Sequence, residues 1–544
     1  MKHSELTIGG YAINKKSITE KQLDKIKKNL HVKPKICEDY GQESIEFDVY
    51  KEIGDKIYIP RNYGIKNFGN PANYKNDDCK KINITFNGKL RDNQMEIANI
   101  CISKAKEHGG GILQLPCGSG KTIISIYIAS ILGLKTLIIT HKSFLQEQWI
   151  DRFNEFTNAQ IGLIRQDKII TKEKDVVVGM LHSISMIDYD MNIFNDFGLV
   201  IYDEVHHMGA RVFSNALFKT GFKYSFGLSA TPQRSDGMMK IINWFIGDIL
   251  YKMERNEDKN VEVKSFLYET NETNFIEKKA YIKGKGILKT NLPSSLTCLS
   301  KVVSRNLFII QIIDAVMKNS NRKILILSAR LEHLKNIKEQ IDKNIEININ
   351  NGIYEKDEYK TYYYIGANTQ KERRMAEIEG DIIFATYDMA SEALDIPRMN
   401  TIIMITPPIS KKMFVQSIGR CMRQQNTIIN PLIIDIMDQL PIYDKLAKIR
   451  SEYYNKYKYS NMEIYVNSDK IITKRNYLKN KYNMTDLEID KEFGCGSPCE
   501  ICKNTAQILT NSREECCTSS CNECVCKNKD KLLDYDANIY KIIN

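Results

Sequence analysis

Gly111-Ile-Leu-Gln-Leu-Pro-Cys-Gly-Ser-Gly-Lys121-Thr122 is the stretch on which the reading of this chain turns. An apolar, strand-like run leads into a turn of small residues, and Ile123-Ile124 then opens a helical pattern. Strand, glycine-rich turn and helix in that order make a phosphate cradle, because the turn's N–H groups and the helix N-terminus point at one anion. Pro116, Cys117, Gly118, Ser119 and Gly120 supply the turn. Lys121 is placed to neutralise the β- and γ-phosphates of ATP, and the Thr122 hydroxyl to ligate Mg²⁺. Leu115 stands where the first glycine of the pattern usually stands. Taken alone, the stretch also fits a chance Gly-Lys-Thr turn.

Working outward, the next chemistry is Leu199-Val-Ile-Tyr-Asp203-Glu204-Val205-His206, an apolar strand ending in two acids. Asp203 is suited to holding Mg²⁺ and Glu204 to orienting and deprotonating a water, since phosphoryl transfer needs positioning and charge neutralisation above all. A solvated acidic loop is the alternative for the pair by itself. A phosphate cradle followed about 80 residues later by a strand ending in Asp-Glu is much less readily a coincidence.

Both stretches lie in a repeating pattern. Thr136–Thr140, Asp175–Val178, Leu199–Tyr202 and Tyr224–Leu228 are short β-branched runs separated by helical stretches. A second series, Lys323–Leu327, Asp381–Phe384, Thr401–Ile405 and Leu432–Asp435, follows a polar interval. Such runs suit parallel strands buried on both faces, so the fold class is α/β with two successive domains. The expected organisation is an N-terminal accessory region over 1–80, a first lobe over 81–255 and a connector over 256–300. A second lobe follows over 301–450, then a helical extension over 451–490 and a Cys-rich module over 491–544. In the first region a helix is expected over Glu20–Leu30, with extended pieces at Ile45–Tyr50 and Lys56–Ile59. The stretch Asp438–Tyr465 reads as helical.

The 544 residues carry a net charge of +11, with 42% hydrophobic and 27% charged residues. This is ordinary soluble-protein composition with a bias toward polyanionic partners. No signal-peptide pattern opens the chain, and no run reaches the ~18 apolar residues of a membrane span. The expected location is therefore intracellular and cytoplasmic, without membrane partners.

Asp203-Glu-Val-His206, then Ser229-Ala230-Thr231-Pro232, then Gln416-Ser-Ile-Gly-Arg420-Cys-Met-Arg423 appear in order. Over roughly 88–450 this set resembles the superfamily 2 helicases of the DExH type. The resemblance implies two tandem RecA-like domains and an ATP-driven motor on nucleic acid, DNA ahead of RNA. It implies that Gln94, within Leu90-Arg-Asp-Asn-Gln94, reads the adenine, and that His206, Ser229, Ala230 and Thr231 couple the ATP site to the nucleic-acid groove. Arg420 and Arg423 are implied as arginine fingers, with Gln416 supporting the same interface. Thr386 and Asp395 fit the preceding motif, in which Glu-Ala-Leu-Asp stands for the usual Glu-Gly-Leu-Asp. Thr140-His141-Lys142 resembles the backbone-binding loop of the first lobe. Met180 occupies a place where a phosphate-contacting Thr is common, with Ser183 as its substitute.

Gly227 to Gly237, with Arg234 and Asp236 after the coupling motif, is similar to the branch that contains the xeroderma pigmentosum type B helicase, where this element touches duplex. Tyr58-Ile-Pro-Arg61 and Arg450-Ser-Glu-Tyr-Tyr454 resemble helicases of large cytoplasmic DNA viruses. That likeness implies a role in viral transcription or DNA metabolism, transcription machinery as a partner, and a viral factory or virion as the location. A double-strand translocase that remodels complexes without much unwinding is the second reading, and an inactive nucleic-acid-binding scaffold the third.

Cys495, Cys499, Cys502, Cys516, Cys517, Cys521, Cys524 and Cys526 crowd the tail. Cys499-x2-Cys502 and Cys521-x2-Cys524, 18 residues apart, have the spacing of a four-thiolate site, so structural Zn²⁺ is expected. Eight thiolates suffice for two ions; a disulfide knot and an unligated tail are the rival readings.

Overall fold

The computed structural model describes residues 4–34, 46–75, 77, 79–116, 118–205, 210–230, 237–254, 260–282, 287–392, 394, 396, 398–421, 429–468, 470–472, 539 and 542–543. The chain divides into two compact units, Met1–Arg255 and Asn256–Asn544.

The first unit is built on an eight-stranded sheet. Its order is Lys168–Ile170, Ile161–Arg165, Val176–Met180, Thr136–Thr140, Leu199–Tyr202, Tyr224–Ser229, Gly110–Gln114 and Ile249–Lys252. Only the first pair is antiparallel. Thr136–Thr140 and Leu199–Tyr202 are buried at every residue, which is why they read as unbroken apolar runs rather than as alternation. On one face Ile97, Cys101, Ile126, Trp149 and Phe153, from three helices, pack against Ile138 and Ile201.

The opposite face is closed by the N-terminal residues. Leu6, Tyr11, Ile13, Ile26 and Leu30 share one core with Leu137, Val177 and Val200. They come from a five-stranded sheet, ordered Lys51–Ile53, Lys56–Ile59, Gly10–Asn14, Ser4–Thr7, Asn73–Tyr74, and from the helix Glu20–Leu30. Thr19 and Gln22 close a capping box on that helix, the device its Thr-x-x-Gln spacing encodes. Arg61 donates to the carbonyls of Phe222 at 3.2 Å and Lys223 at 2.9 Å, and Asn62 to that of Phe245 at 3.0 Å. Residues before 80 are thus part of the first unit's core.

The second unit has its own eight-stranded sheet. The order is Thr361–Tyr364, Ile382–Thr386, Ile324–Ser328, Thr401–Met404, Leu432–Asp438, Glu262–Glu269, Ser460–Asn467 and Lys470–Ile472. Two expectations are corrected here. Glu262–Glu269, inside the stretch read as connector, is a central strand parallel to both neighbours. Its charged residues suggested a linker, but Val263, Phe266 and Tyr268 are buried. The helix expected to reach Tyr465 and continue as an extension ends at Lys456. Lys458 then takes φ +56°, and Ser460–Asn467 enters the sheet with Ile464 and Val466 buried. Alternation at 462, 464 and 466 is a strand period, and it won over the helical run before it.

Two buried ion pairs fix the carboxyl end of Leu432–Asp438. Arg305 donates to both Asp438 carboxylate oxygens at 2.5 and 2.8 Å, and to the Ile405 carbonyl at 2.9 Å. Arg450 donates to Asp435 Oδ2 at 2.7 Å, as does the Tyr454 hydroxyl at 2.9 Å. Lys279–Ile282 and Ile287–Thr290 form a separate two-stranded hairpin. Among the described residues no single helix is long and apolar enough to cross a membrane.

The cysteines from 495 to 526 lie outside the described residues. Beyond them Ile539, Ile542 and Ile543 are buried in the second unit's core beside Ile434 and Phe308. A separable module starting near 491 does not match this, because the far end of the chain completes the core of the second lobe. Each of these isoleucines changed to Ala should cost about 2–5 kcal/mol. Urea unfolding of the full chain checks this, and an Ile539→Ala, Ile542→Ala double variant as stable as the parent would show that the segment does not pack there.

Candidate nucleotide site

Gly110–Gln114 ends where the cradle begins. Gly118 and Gly120 have φ of +83° and +88°, a region that side chains other than glycine's enter only under strain. A Cβ on Gly120 would also lie 2.3 Å from Gln94 Nε2. The helix Lys121–Leu132 follows with no side-chain cap on its first turn. Its leading N–H groups and positive dipole end are left for an anion.

Ser119 donates through its hydroxyl to the Pro116 carbonyl at 2.7 Å, which tightens the turn. Gln94 is buried, and its amide spans two elements: Nε2 donates to the Ser119 carbonyl at 3.0 Å, and Oε1 accepts from the Arg91 N–H at 3.0 Å. Here the side chain expected to read adenine braces the cradle. Lys121 Nζ lies 3.3 Å from the Leu115 carbonyl and 3.5 Å from Glu204 Oε1, so the lysine bridges the cradle and the acid pair. Thr122 is the second residue of the helix.

Asp203 and Glu204 follow the strand Leu199–Tyr202 and are only 9% and 7% exposed. Glu204 takes φ +47°, a left-handed conformation uncommon outside glycine and found at functional turns. Burial, then the Glu204 charge, push the Asp203 carboxyl above the usual carboxylate range; the Trp149 N–H, Lys121 and His141 act the other way. Two buried carboxylates at the end of one strand are hard-oxygen donors of the kind that Mg²⁺ takes.

The strand Tyr224–Ser229 lies against this site. Ser229 pairs in register with Gln114, and its carbonyl accepts from the Leu115 N–H at 3.0 Å. Ala230 follows it. Cys117, His206, Thr231, Arg234, Asp236, Asp395 and Arg423 lie outside the described residues. Arg420 falls in the helix Lys411–Cys421, with its side chain undescribed. Gln416, on the same helix, is buried, and its Nε2 has no hydrogen-bond partner among the described residues. Thr386 ends Ile382–Thr386 opposite Ser328.

The expected backbone-binding residues are arranged differently. Thr140 is buried, and its hydroxyl donates to the Lys142 carbonyl at 3.4 Å, leaving half-buried His141 as the more accessible member. Met180 pairs with Thr140 across the sheet. The Ser183 hydroxyl accepts from the Gln166 N–H at 2.9 Å and is buried, so it does not stand in for a phosphate-contacting threonine.

Residues 87–234 match the family described as "Type III restriction enzyme, res subunit", and residues 305–425 match "Helicase conserved C-terminal domain". A protein of Acanthamoeba polyphaga mimivirus named as an ATP-dependent RNA helicase is 37% identical over 500 residues, 90% of each chain. This chain belongs to the superfamily 2 helicases. It is an ATP-dependent helicase with tandem RecA-like domains, and it uses ATP with Mg²⁺. A protein of Invertebrate iridescent virus 6 named as a helicase is 27% identical, over 74% of this helicase and 89% of its own length. The "DNA 3'-5' translocase XPB2" of Sulfurisphaera tokodaii is 25% identical over 67% and 85%. In fold, the helicase is similar to a fragment named as an HsdR subunit of a type I restriction enzyme from Vibrio vulnificus, with TM-score 0.50, 14% identity and 71% of each chain covered.

One residue at the helicase's site escaped the sequence reading. Trp149, on the helix Ser143–Phe156, donates its indole N–H to Asp203 Oδ2 at 2.9 Å. Leu145, Trp149 and Phe153 share the helix's buried face, so Trp149 reads as plain core. The signal was its donor, because a buried indole N–H needs an acceptor. Trp149→Phe keeps the ring and removes the donor to a charged group, worth about 1.5–3 kcal/mol. ATP turnover titrated with Mg²⁺ should require a higher half-saturating Mg²⁺ concentration, with a rate roughly ten-fold lower. An unchanged Mg²⁺ titration would show that the contact does not hold Asp203.

Proposed function

We propose that the helicase is a DNA-directed motor of viral transcription or DNA metabolism, moving along duplex or separating its strands. The observation that carries the motor chemistry is the contact of Lys121 with Glu204 across the mouth of the cradle. In this reading Lys121 neutralises the phosphates, Thr122 and Asp203 hold Mg²⁺, and Glu204 orients and deprotonates the attacking water. The bound Mg²⁺ supplies charge that the developing transition state needs. As the family resemblance implies, Asp395 would serve the nucleotide, and Gln416, Arg420 and Arg423 would supply support and fixed charge to the γ-phosphate. His206, Ser229, Ala230 and Thr231 relay the ATP state to the groove, where His141, Thr386 and Arg234 meet the strand.

DNA is favoured by the archaeal relative, named for DNA translocation, whose match spans 67% of this chain. RNA is the second reading, favoured by the name of the mimiviral relative. ATPase rates measured with single-stranded DNA, duplex DNA and RNA decide between them, with Glu204→Gln as the control that binds ATP without turning it over. Duplex DNA should stimulate most. Stimulation by RNA alone would overturn the DNA reading, and wild-type-like turnover by Glu204→Gln would overturn its role as the base.

We further propose that Cys495, Cys499, Cys502, Cys516, Cys517, Cys521, Cys524 and Cys526 hold two structural Zn²⁺ ions. Four-thiolate sites have no open position, so these ions would staple a loop rather than catalyse. Ile539 and Ile542 anchor the chain beyond the cysteines, so the stapled segment is tethered at both ends. Metal analysis of anaerobically purified full chain should find about two zinc ions per molecule; none would exclude the proposal.

A further inference from the structure

The hairpin Lys279–Ile282 and Ile287–Thr290 pairs with neither large sheet. A lone two-stranded hairpin is marginal in water, so its attachment matters. At its foot the Asn291 N–H donates to the Lys278 carbonyl at 2.7 Å, and the Lys278 N–H donates to Ser295 Oγ at 2.9 Å. Asn291 also caps the helix Leu292–Leu299, whose Leu296 and Leu299 are buried in the second unit. On the other side of the foot Phe275 is buried in the same core. The base is therefore fixed to the second lobe.

Its surface has an unusual composition. Tyr281 and Leu288 face each other in register and are 64% and 63% exposed. Lys278, Lys279 and Ala280 beside them are exposed as well. From 278 to 290 the chain reads Lys-Lys-Ala-Tyr-Ile-Lys-Gly-Lys-Gly-Ile-Leu-Lys-Thr, with five lysines and no acid. An exposed aromatic ring flanked by cations and free of carboxylates is complementary to a flexible polyanion with stackable rings. That is a single nucleic-acid strand. An acidic protein segment would satisfy the lysines but would leave Tyr281 without its stacking partner.

We propose that this hairpin grips one nucleic-acid strand, with a base stacked on Tyr281 and against Leu288, a flanking phosphate paired to Lys279 on the same face, and Lys278 and Lys289 on the other face adding to the positive field that draws the strand in. The proposal rests on the reading of the chain as a nucleic-acid motor and adds a contact that none of its helicase motifs supplies. The nucleotide-site residues described above all lie elsewhere in the chain, so the hairpin acts on grip and coupling, not on phosphoryl transfer.

The test uses full-length protein with a fluorescein-labelled single-stranded oligonucleotide, read by anisotropy at several salt concentrations. Tyr281→Ala should weaken binding about ten-fold, and Tyr281→Trp should bind at least as tightly as wild type. Lys279→Ala with Lys289→Ala should lower the salt slope by roughly one to two. ATP turnover without nucleic acid and the thermal unfolding midpoint should stay unchanged in all three. Wild-type binding with Tyr281→Ala inside two-fold of it and an undiminished salt slope would overturn the hairpin contact alone, in favour of a protein partner. A wild-type chain that bound no nucleic acid would overturn the motor reading with it.

Discussion

Two carboxylates, Asp203 and Glu204, are buried side by side at the end of one strand, and the first lobe is organised around the cost of keeping them there. Burying like charges together is unfavourable unless positive charge or hydrogen-bond donors compensate. The structure supplies Lys121 at 3.5 Å from Glu204 and the Trp149 N–H at 2.9 Å from Asp203. The compensation is incomplete, since the Asp203 carboxyl is still pushed above its usual range. The N-terminus of the helix Lys121–Leu132, which no side chain caps, opens beside the two carboxylates with its positive dipole end. The sheet order follows from the same need: Tyr224–Ser229 lies between the strand that carries the cradle and the strand that carries the acids. The Ser229 carbonyl is bonded to Leu115, the residue that leads into the cradle.

The second lobe meets its buried carboxylates with arginines. Asp438 is also pushed upward by burial, but Arg305 opposes the shift through two hydrogen bonds. Asp435 receives Arg450 and Tyr454. These pairs join Leu432–Asp438 to the helices Val303–Met317 and Pro441–Lys456. Removing one partner of such a pair typically costs about 3–5 kcal/mol, because the other is left buried and uncompensated. Phe414 then lies edge-on to Tyr453 at 5.2 Å and Tyr454 at 5.7 Å. The helix that carries Gln416 and Arg420 consequently rests on a support whose orientation is set by Asp435 and Arg450.

Much of this was legible before any coordinates. Thr136–Thr140, Leu199–Tyr202 and Glu20–Leu30 have the bounds expected from the sequence, and in the two strands continuous burial leaves a strong local mark. Glu262–Glu269 and Ser460–Asn467 leave weaker marks, because Glu262, Lys264, Glu269 and Asn461 occupy half-buried positions and their polarity masks the alternation. The burial of Ile539, Ile542 and Ile543 was invisible, since docking a short segment is a tertiary event with no local signature. At the site, motif spacing located Lys121, Asp203 and Glu204. It could not show that the Thr140 hydroxyl turns to its own chain or that Gln94 holds Ser119, because both depend on which atoms lie within hydrogen-bond reach after folding.

The contrast between the lobes explains why motif reading succeeds where it does. A site that must accept a charged ligand keeps its charge unbalanced and its helix end uncapped. Both features need particular residue types in sequence: glycines at positive φ, a lysine opening a helix, acids closing a strand. A structural pair such as Arg305 with Asp438 is closed by hydrogen bonds within the fold, and its members stand 133 residues apart with no local pattern that links them. Trp149 falls between these cases. It is fixed by packing like a core residue, yet it gives its single donor to an acid whose burial the fold offsets only in part. Its neighbours in sequence mark it as core, and only the geometry shows its indole bonded to Asp203.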